Sequence, residues 1–283
     1  MYIWGVKMKV IGIGDNVVDK YLHQNKMYPG GNALNFAVFA KELEVSSSYI
    51  GVFGTDKAAH HIKTVLNQFN IDISHCRTYE GENGFAKVNL ENGDRVFVGS
   101  NGGGVSKKYP LKINKEDLSF INEHKLIHSS CFSFIENELF KLKELNIPVS
   151  YDFSKNHSNS YLSKVCPNID YAFLSCGHLS EKKTKDKLKM VINKGCKLAV
   201  ATRGVKGAIL LYKNKFYFQK ANRIEPLDTL GAGDSFITAL LLEILKSSNI
   251  NEEVISRGLK KAAKYSAKTC LINGAFGYGK KIN

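Results

Sequence analysis

Short apolar segments alternate with helical ones along most of this 283-residue chain, and that rhythm narrows its fold more than any other feature. Residues 9–14, 48–53, 126–128, 149–152, 171–174 and 198–202 read as buried strands. Helical stretches fall between and after them, at about 33–44, 57–69, 135–145, 180–193, 233–247 and 251–270. Such a pattern predicts an α/β fold with a central, mostly parallel sheet flanked by helices. The length suits one large domain or two small ones, and the unbroken rhythm favours a single domain over 1–283.

Two segments depart from the rhythm. Residues 17–28 are polar and extended in character, and residues 84–99 hold two strand-like runs around Asn92-Gly93, a strong hairpin signal. They predict a small antiparallel flap from segments at about 17–29 and 84–100, placed as a lid. A surface hairpin with no role fits the same residues. Asn101-Gly102-Gly103-Gly104 is the expected flexible point beside it.

The chemistry concentrates in three glycine motifs. Asp228-Thr229-Leu230-Gly231-Ala232-Gly233-Asp234 runs straight into an apolar helical stretch. Its glycines permit a tight turn and close approach to a ligand. A helix start offers unpaired N–H groups and a positive dipole end, which suit a transferring phosphoryl group. Asp234 then stands where a carboxylate can take a proton from an attacking hydroxyl. A plain N-cap after a turn also fits these residues. In Gly30-Gly31-Asn32-Ala33-Leu34-Asn35, paired glycines again permit close approach. Asn32 can cap the following helix, and the Asn35 amide suits a polyol. Asp15 follows the first strand, where ligands bind in open α/β sheets, and can accept from sugar hydroxyls. Thr202-Arg203-Gly204-Val205-Lys206-Gly207 fits either a nucleotide phosphate turn or an ordinary hairpin turn.

Other classes fit less well. Gly12-x-Gly14 opens a dinucleotide fingerprint, but Val17 breaks it, and no P-loop sequence occurs. The formal charge of +14 comes from 40 basic against 26 acidic residues, yet the lysines are spread along the chain and mixed with acids at 181–189. No basic stripe for nucleic acid is visible. No apolar run spans a membrane, and the first eight residues lack the core of a signal peptide. Six isolated cysteines, without metal-site spacing, fit a reducing cytoplasm. Adjacent His60 and His61 point in different directions on a helix and do not suggest a metal site.

Taken in order, Gly30-Gly31-Asn32 with Asn35, Thr202-x-Gly204-x-x-Gly207 and the Asp228–Asp234 motif resemble the ribokinase-like (PfkB family) carbohydrate kinases, from about residue 8 to residue 277. The resemblance implies a ribokinase-like domain with a small β-strand lid, ATP as donor and Mg²⁺ as helper. It implies Asp234 as base and Gly231, Ala232 and Gly233 as anion hole. Asp15, Gly30, Gly31, Asn32 and Asn35 are implied as sugar contacts. Thr202, Gly204, Gly207 and Asn273, within 271–277, are implied as nucleotide contacts. K⁺, common in the family, would lie near Asp228. Gly14-Asp15-Asn16-Val17-Val18-Asp19, Asn25-Lys26-x-x-x-Gly30-Gly31-Asn32-Ala33 and Asn92-Gly93-Asp94-Arg95-Val96-Phe97 look like the fructoselysine 6-kinase branch. Arg95 would then pair with the substrate carboxylate, although a solvated hairpin arginine fits equally. The Asn-x-x-Glu common in the family is missing, and Ser175-Cys176-Gly177-His178 stands in its place. Either Glu181 substitutes as a magnesium ligand, or ATP and water hold the metal. Rival expectations are a same-fold kinase for another sugar, sugar acid or nucleoside, a dinucleotide-dependent oxidoreductase, and a non-catalytic binder. The partner is expected to be a small-molecule sugar or fructosamine, with a homodimer through the lid edges.

Overall fold

The computed structural model describes residues 2–3, 6–91 and 94–282. The Asn92-Gly93 turn and the Arg95 side chain lie outside the described residues. The chain begins with β1 (Tyr2–Ile3), β2 (Val6–Lys7), β3 (Lys9–Gly14), β4 (Val17–Tyr21), β5 (Lys26–Gly30) and α1 (Asn32–Glu42). There follow β6 (Ser46–Phe53), α2 (Lys57–Gln68), β7 (Arg77–Thr78), β8 (Gly84–Glu91), β9 (Asp94–Ser100), α3 (Val105–Lys108) and α4 (Lys115–Ile121). The middle holds β10 (Ile127–Ser130), α5 (Leu139–Lys143), β11 (Val149–Asp152), α6 (Asn159–Val165), β12 (Tyr171–Ser175) and α7 (Glu181–Asn193). The rest is β13 (Leu198–Thr202), β14 (Ala208–Tyr212), β15 (Lys215–Gln219), α8 (Ala232–Leu245), α9 (Glu252–Thr269) and β16 (Lys280–Lys281).

Nine strands form the main sheet in the order β15-β14-β13-β12-β11-β10-β3-β6-β7. All neighbours pair parallel except β13 with β14 and β14 with β15. From β3 the chain builds outward on one side through β6 and later on the other through β10. That reversal makes a switch point, and the crevice beyond the strand ends there is the natural ligand site. A second sheet, β16-β5-β4-β8-β9, stands beside it. Here β4 pairs antiparallel with β5 but parallel with β8, so the flap is mixed rather than antiparallel throughout.

Asn16 and Asn83 tie the two sheets together. Asn83 Nδ2 donates to Asn16 Oδ1 (2.9 Å), and Asn16 Nδ2 donates to the Val52 carbonyl (2.9 Å) and the Tyr49 hydroxyl oxygen (3.0 Å). The Gly54 amide donates to Asn83 Oδ1 at 3.1 Å. These buried amides are largely satisfied, so they specify one orientation at little desolvation cost.

α1 and α8 are buried nearly all round and pack side by side. That is why they read as apolar runs rather than amphipathic helices. α1 lies so close to β3 that a Cβ on Gly12 would sit 2.1 Å from the Ala33 carbonyl oxygen.

Several elements differ from the sequence expectation. The helix expected over 135–145 shrinks to α5, because Phe134 adopts a left-handed conformation (φ 56°) and the chain around Ser133 folds back onto Asp15. α4 was not expected; it is a seven-residue helix held by a capping box between Asn114 and Asp117. β14 and β15 turn the sheet edge antiparallel, and β16 joins the second sheet against β5.

Gly12→Ala forces backbone against backbone. It should destabilise the protein by roughly 1–3 kcal/mol, read as a lower Tm in calorimetry.

Candidate active site

The first turn of α1 organises the crevice. Its N-cap is Gly31 (φ 115°), which supplies no side-chain cap. A Cβ there would lie 2.7 Å from the Asp15 carbonyl oxygen, so the close approach excludes a side chain. The cap comes from another strand: Asp15 Oδ2 accepts from the Asn32 amide (2.6 Å) and Oδ1 from the Ala33 amide (3.2 Å). Ser130 Oγ, on the last residue of β10, and Ser133 Oγ also donate to Asp15 Oδ1, at 2.8 and 2.9 Å. Oδ1 thus accepts from three protein donors and Oδ2 from one, which leaves Oδ2 with acceptor capacity to spare. Its role in this structure is to fasten β3, β10 and α1 together. The expectation that Asn32 caps α1 is corrected: Asn32 is the first helical residue, and its side chain reaches elsewhere.

Asn32 Nδ2 donates to Asp152 Oδ2 at 2.6 Å, and Asn35 Nδ2 donates to Asp234 Oδ2 at 2.6 Å. One helical turn therefore holds three carboxylates that come from residues 15, 152 and 234. Asp152 ends β11 and also accepts from the Ser154 amide (2.8 Å). Burial pushes its carboxyl up to about 6, with the charge of Asp15 acting the same way against the pull of its hydrogen bonds. Burial pushes Asp234 up to about 8, aided by Asp152 and then Asp15 and Asp19, while the Asn35 hydrogen bond pulls it down. A carboxyl tuned into that range matches a general base working near neutrality.

Asp234 is the third residue of α8, whose N-cap is Gly231 (φ 72°). The plain N-cap alternative does not hold, since the Asp234 side chain turns to Asn35. Gly231 is wedged against Ala275, where an added Cβ would meet Ala275 Cβ at 2.7 Å. Gly233 is exposed, and an added Cβ would meet nothing within 4 Å. Gly233 therefore borders open space next to Asp234, while the Ala232 amide donates to the Thr229 carbonyl (3.3 Å). The loop before them is closed by Asp228. Its Oδ1 accepts from the Leu230 amide (2.9 Å), and its Oδ2 accepts from the Gly274 amide (2.8 Å) and the Tyr21 hydroxyl (2.5 Å).

The remaining residues lie on other elements. Thr202 ends β13, and residues 204–206 form a 3₁₀ turn into the antiparallel β14, so this motif is a hairpin turn in geometry. Gly204 and Gly207 have φ of 57° and 85°, and the Arg203 amide donates to the Gly207 carbonyl (2.8 Å). Asn273 Oδ1 accepts from Gln24 Nε2 (3.4 Å), next to the Gly274 contact with Asp228. Gly30 borders Asp19, whose Oδ2 would lie 2.7 Å from an added Cβ. Glu181 opens α7 and pairs with Lys185 at 2.7 Å on the exposed face, away from the buried carboxylates. Among the described residues no three His, Cys, Asp or Glu gather in a metal-binding group. Among the described residues no helix is long and apolar enough to cross a membrane.

The family model for pfkB family carbohydrate kinases matches residues 1–270. The chain belongs to that family. This sugar kinase is 46% identical over 273 residues to the fructosamine kinase FrlD of Bacillus subtilis (strain 168), covering 96% of this chain and 94% of that one. It is 31% identical over 229 residues to the fructoselysine 6-kinase of Escherichia coli (strain K12), covering 81% and 86%. Its fold matches Arabidopsis thaliana ribokinase complexed with ribose and ATP at a TM-score of 0.81 and 17% identity, over 96% and 95% of the two chains. Xylella fastidiosa fructokinase with bound ATP matches at 0.78 and 17%, over 96% and 95%. The ribokinase-like fold expected from the motifs is the one this kinase has.

The motifs missed Asp152, Ser130 and Ser133. Asp152 and Ser130 sit at the carboxyl ends of parallel strands, so the strand-end rule could have found both. Ser133 lies in a loop whose path no local pattern gives.

Two tests follow from this geometry. Asp234 must be ionised to act as base, so kcat/KM should rise with pH through an inflection near 8. Because its folded-state value lies above the unfolded one, the native state holds the extra proton between about 4 and 8 and stability falls as pH rises through that window. Asp234→Asn should abolish the activity inflection, cut kcat by roughly 10²-fold or more, and raise Tm above pH 8 by about 2–4 °C per kcal/mol relieved. Near-normal turnover in that variant would count against Asp234 as base. The glycines should separate by role: Gly231→Ala lowers Tm, whereas Gly233→Ala leaves Tm in place and weakens ATP binding or turnover. Unchanged ATP affinity and rate in Gly233→Ala would remove the anion hole from this loop.

Proposed function

We propose that this protein is an ATP-dependent fructosamine kinase that phosphorylates the 6-hydroxyl of fructoselysine or a related adduct. The observation that carries the reading is the buried Asp234, held by a single Asn35 bond beneath the open first turn of α8. The 46% identity to a fructosamine kinase supports the substrate class.

In this reading the sugar enters between the second sheet and the strand ends, over Gly30, Gly31, Asn32 and Asn35. Asp234 accepts the proton of the hydroxyl, whose oxygen attacks the γ-phosphate in line. The backbone amides of residues 231–234 face the phosphate and stabilise its developing charge. ATP, with its Mg²⁺, supplies the phosphoryl group, and Thr202, Gly204, Gly207 and Asn273 border the nucleotide. Glu181 is committed to Lys185, which favours a metal carried by phosphate and water. A K⁺ ion would take its place near Asp228 and neighbouring carbonyls, where the carboxylate already accepts from three protein donors. Segments 17–29 and 84–100, within one kinase domain, act as the lid. β9, at the edge of the second sheet, is where a second copy would add. A cytoplasmic location fits the energy-rich donor.

The test is ADP release with Mg-ATP against fructoselysine, other fructosamines, fructose, ribose, 2-keto-3-deoxygluconate and adenosine. Fructosamines should give the highest kcat/KM. A clear preference for any other member would discard the substrate while leaving the kinase chemistry standing.

A further inference from the structure

The crevice is rich in buried negative charge. Asp15, Asp152 and Asp234 are 5%, 7% and 9% exposed. Among the described residues no Lys, Arg or His nitrogen forms an ion pair with any of the three. Buried carboxylates without a cation are costly, and the cost is met either by protonation or by a positive ligand.

The three are not equivalent. Asp15 already accepts four hydrogen bonds, three of them on Oδ1, from Asn32, Ala33, Ser130 and Ser133. Asp234 needs its free oxygen for the reacting hydroxyl. Asp152 accepts only from Asn32 and Ser154 and keeps lone pairs in reserve. An independent sign of a missing ligand comes from the same turn of α1. Asn35 is 3% exposed, its Nδ2 is taken by Asp234, and its Oδ1 has no partner at all. A buried amide oxygen left empty calls for a donor.

We propose that Asp152 receives the protonated secondary amine of the substrate, with Asn35 Oδ1 accepting a donor from the same molecule. This rests on the fructosamine reading above. An Amadori sugar carries its ammonium on one side of the ring and its primary hydroxyl on the other. Asn32 and Asn35, three residues apart on one helix face, hold Asp152 and Asp234 as two neighbouring acceptors for those two groups. Fructose has the hydroxyl and lacks the cation, so it leaves Asp152 uncompensated. The charge of Asp152 and its amide partner thereby become the device that separates adduct from free sugar. The incoming cation also favours the ionised form of Asp234.

The experiment measures kcat and KM of wild type and Asp152→Asn on fructoselysine, its N-methyl derivative, its N-acetyl derivative and fructose. N-methylation keeps the positive charge and N-acetylation removes it. Wild type should accept the N-methyl compound far better than the N-acetyl one. Asp152→Asn should lower the kcat/KM ratio of fructoselysine over fructose by about 30-fold or more, mainly through KM, the scale of a buried charge pair broken. The N-methyl to N-acetyl preference should shrink with it. The wild-type comparison stands even if the variant folds poorly. Equal losses on fructoselysine and fructose, or no wild-type preference for the charged analogue, would overturn the ammonium assignment and leave the fructosamine kinase intact. A wild type silent on every fructosamine would sink the parent reading and this one together.

Discussion

The whole site depends on one helical turn. The amides at the start of α1 need an acceptor, and no residue ahead of them supplies it, because Gly31 has no side chain. Asp15 answers from the end of β3, and in doing so fixes where α1 meets the sheet. The Asn32 and Asn35 side chains then reach Asp152 and Asp234. Residues far apart in sequence become neighbours because each is bonded to the same turn. The helix dipole favours this charge, since its positive end faces the acids.

In the proposed mechanism that arrangement accepts instability as a condition of function. Asp234 is pushed far from its ordinary range by burial and by its neighbours, and only Asn35 eases it. A more comfortable carboxylate would be too weak a base near neutrality. The surrounding structure tolerates the strain because α1 and α8 are buried on nearly every side and lock the two asparagines in place. The stiff glycine contacts at Gly12 and Gly231 serve the same end, letting backbones come closer than any side chain would permit.

Much of this was legible in the sequence. The strand–helix rhythm gave the parallel sheet, because strands buried on both faces must be apolar throughout. The Gly231–Asp234 motif was readable because a tight turn into an apolar helix demands those residues. Asp152 was readable only as a strand-end acid, since its position after Val149-Ser150-Tyr151 marks a place on the sheet and not a partner. Its meaning comes from Asn32, and that pairing exists only after β11 and α1 converge. α4 escaped notice because its stability lies in the Asn114–Asp117 capping box rather than in periodicity. The run at 135–145 misled because its helical pattern loses to the pull of Ser133 on Asp15.

The segment from Cys270 to Ile282 ties the loop ahead of α8 to α2 and to the second sheet. The Cys270 carbonyl accepts from the Leu227 and Asp228 amides, and Gly274 donates to the Asp228 carboxylate. Further on, the Tyr278 carbonyl meets His61 of α2, and β16 zips onto β5. Tyr21, on β4 of the same second sheet, donates to the same Asp228 oxygen as Gly274. The second sheet and the loop ahead of α8 are therefore laced together like the two sides of a boot. A tilt of one is a tug on the other.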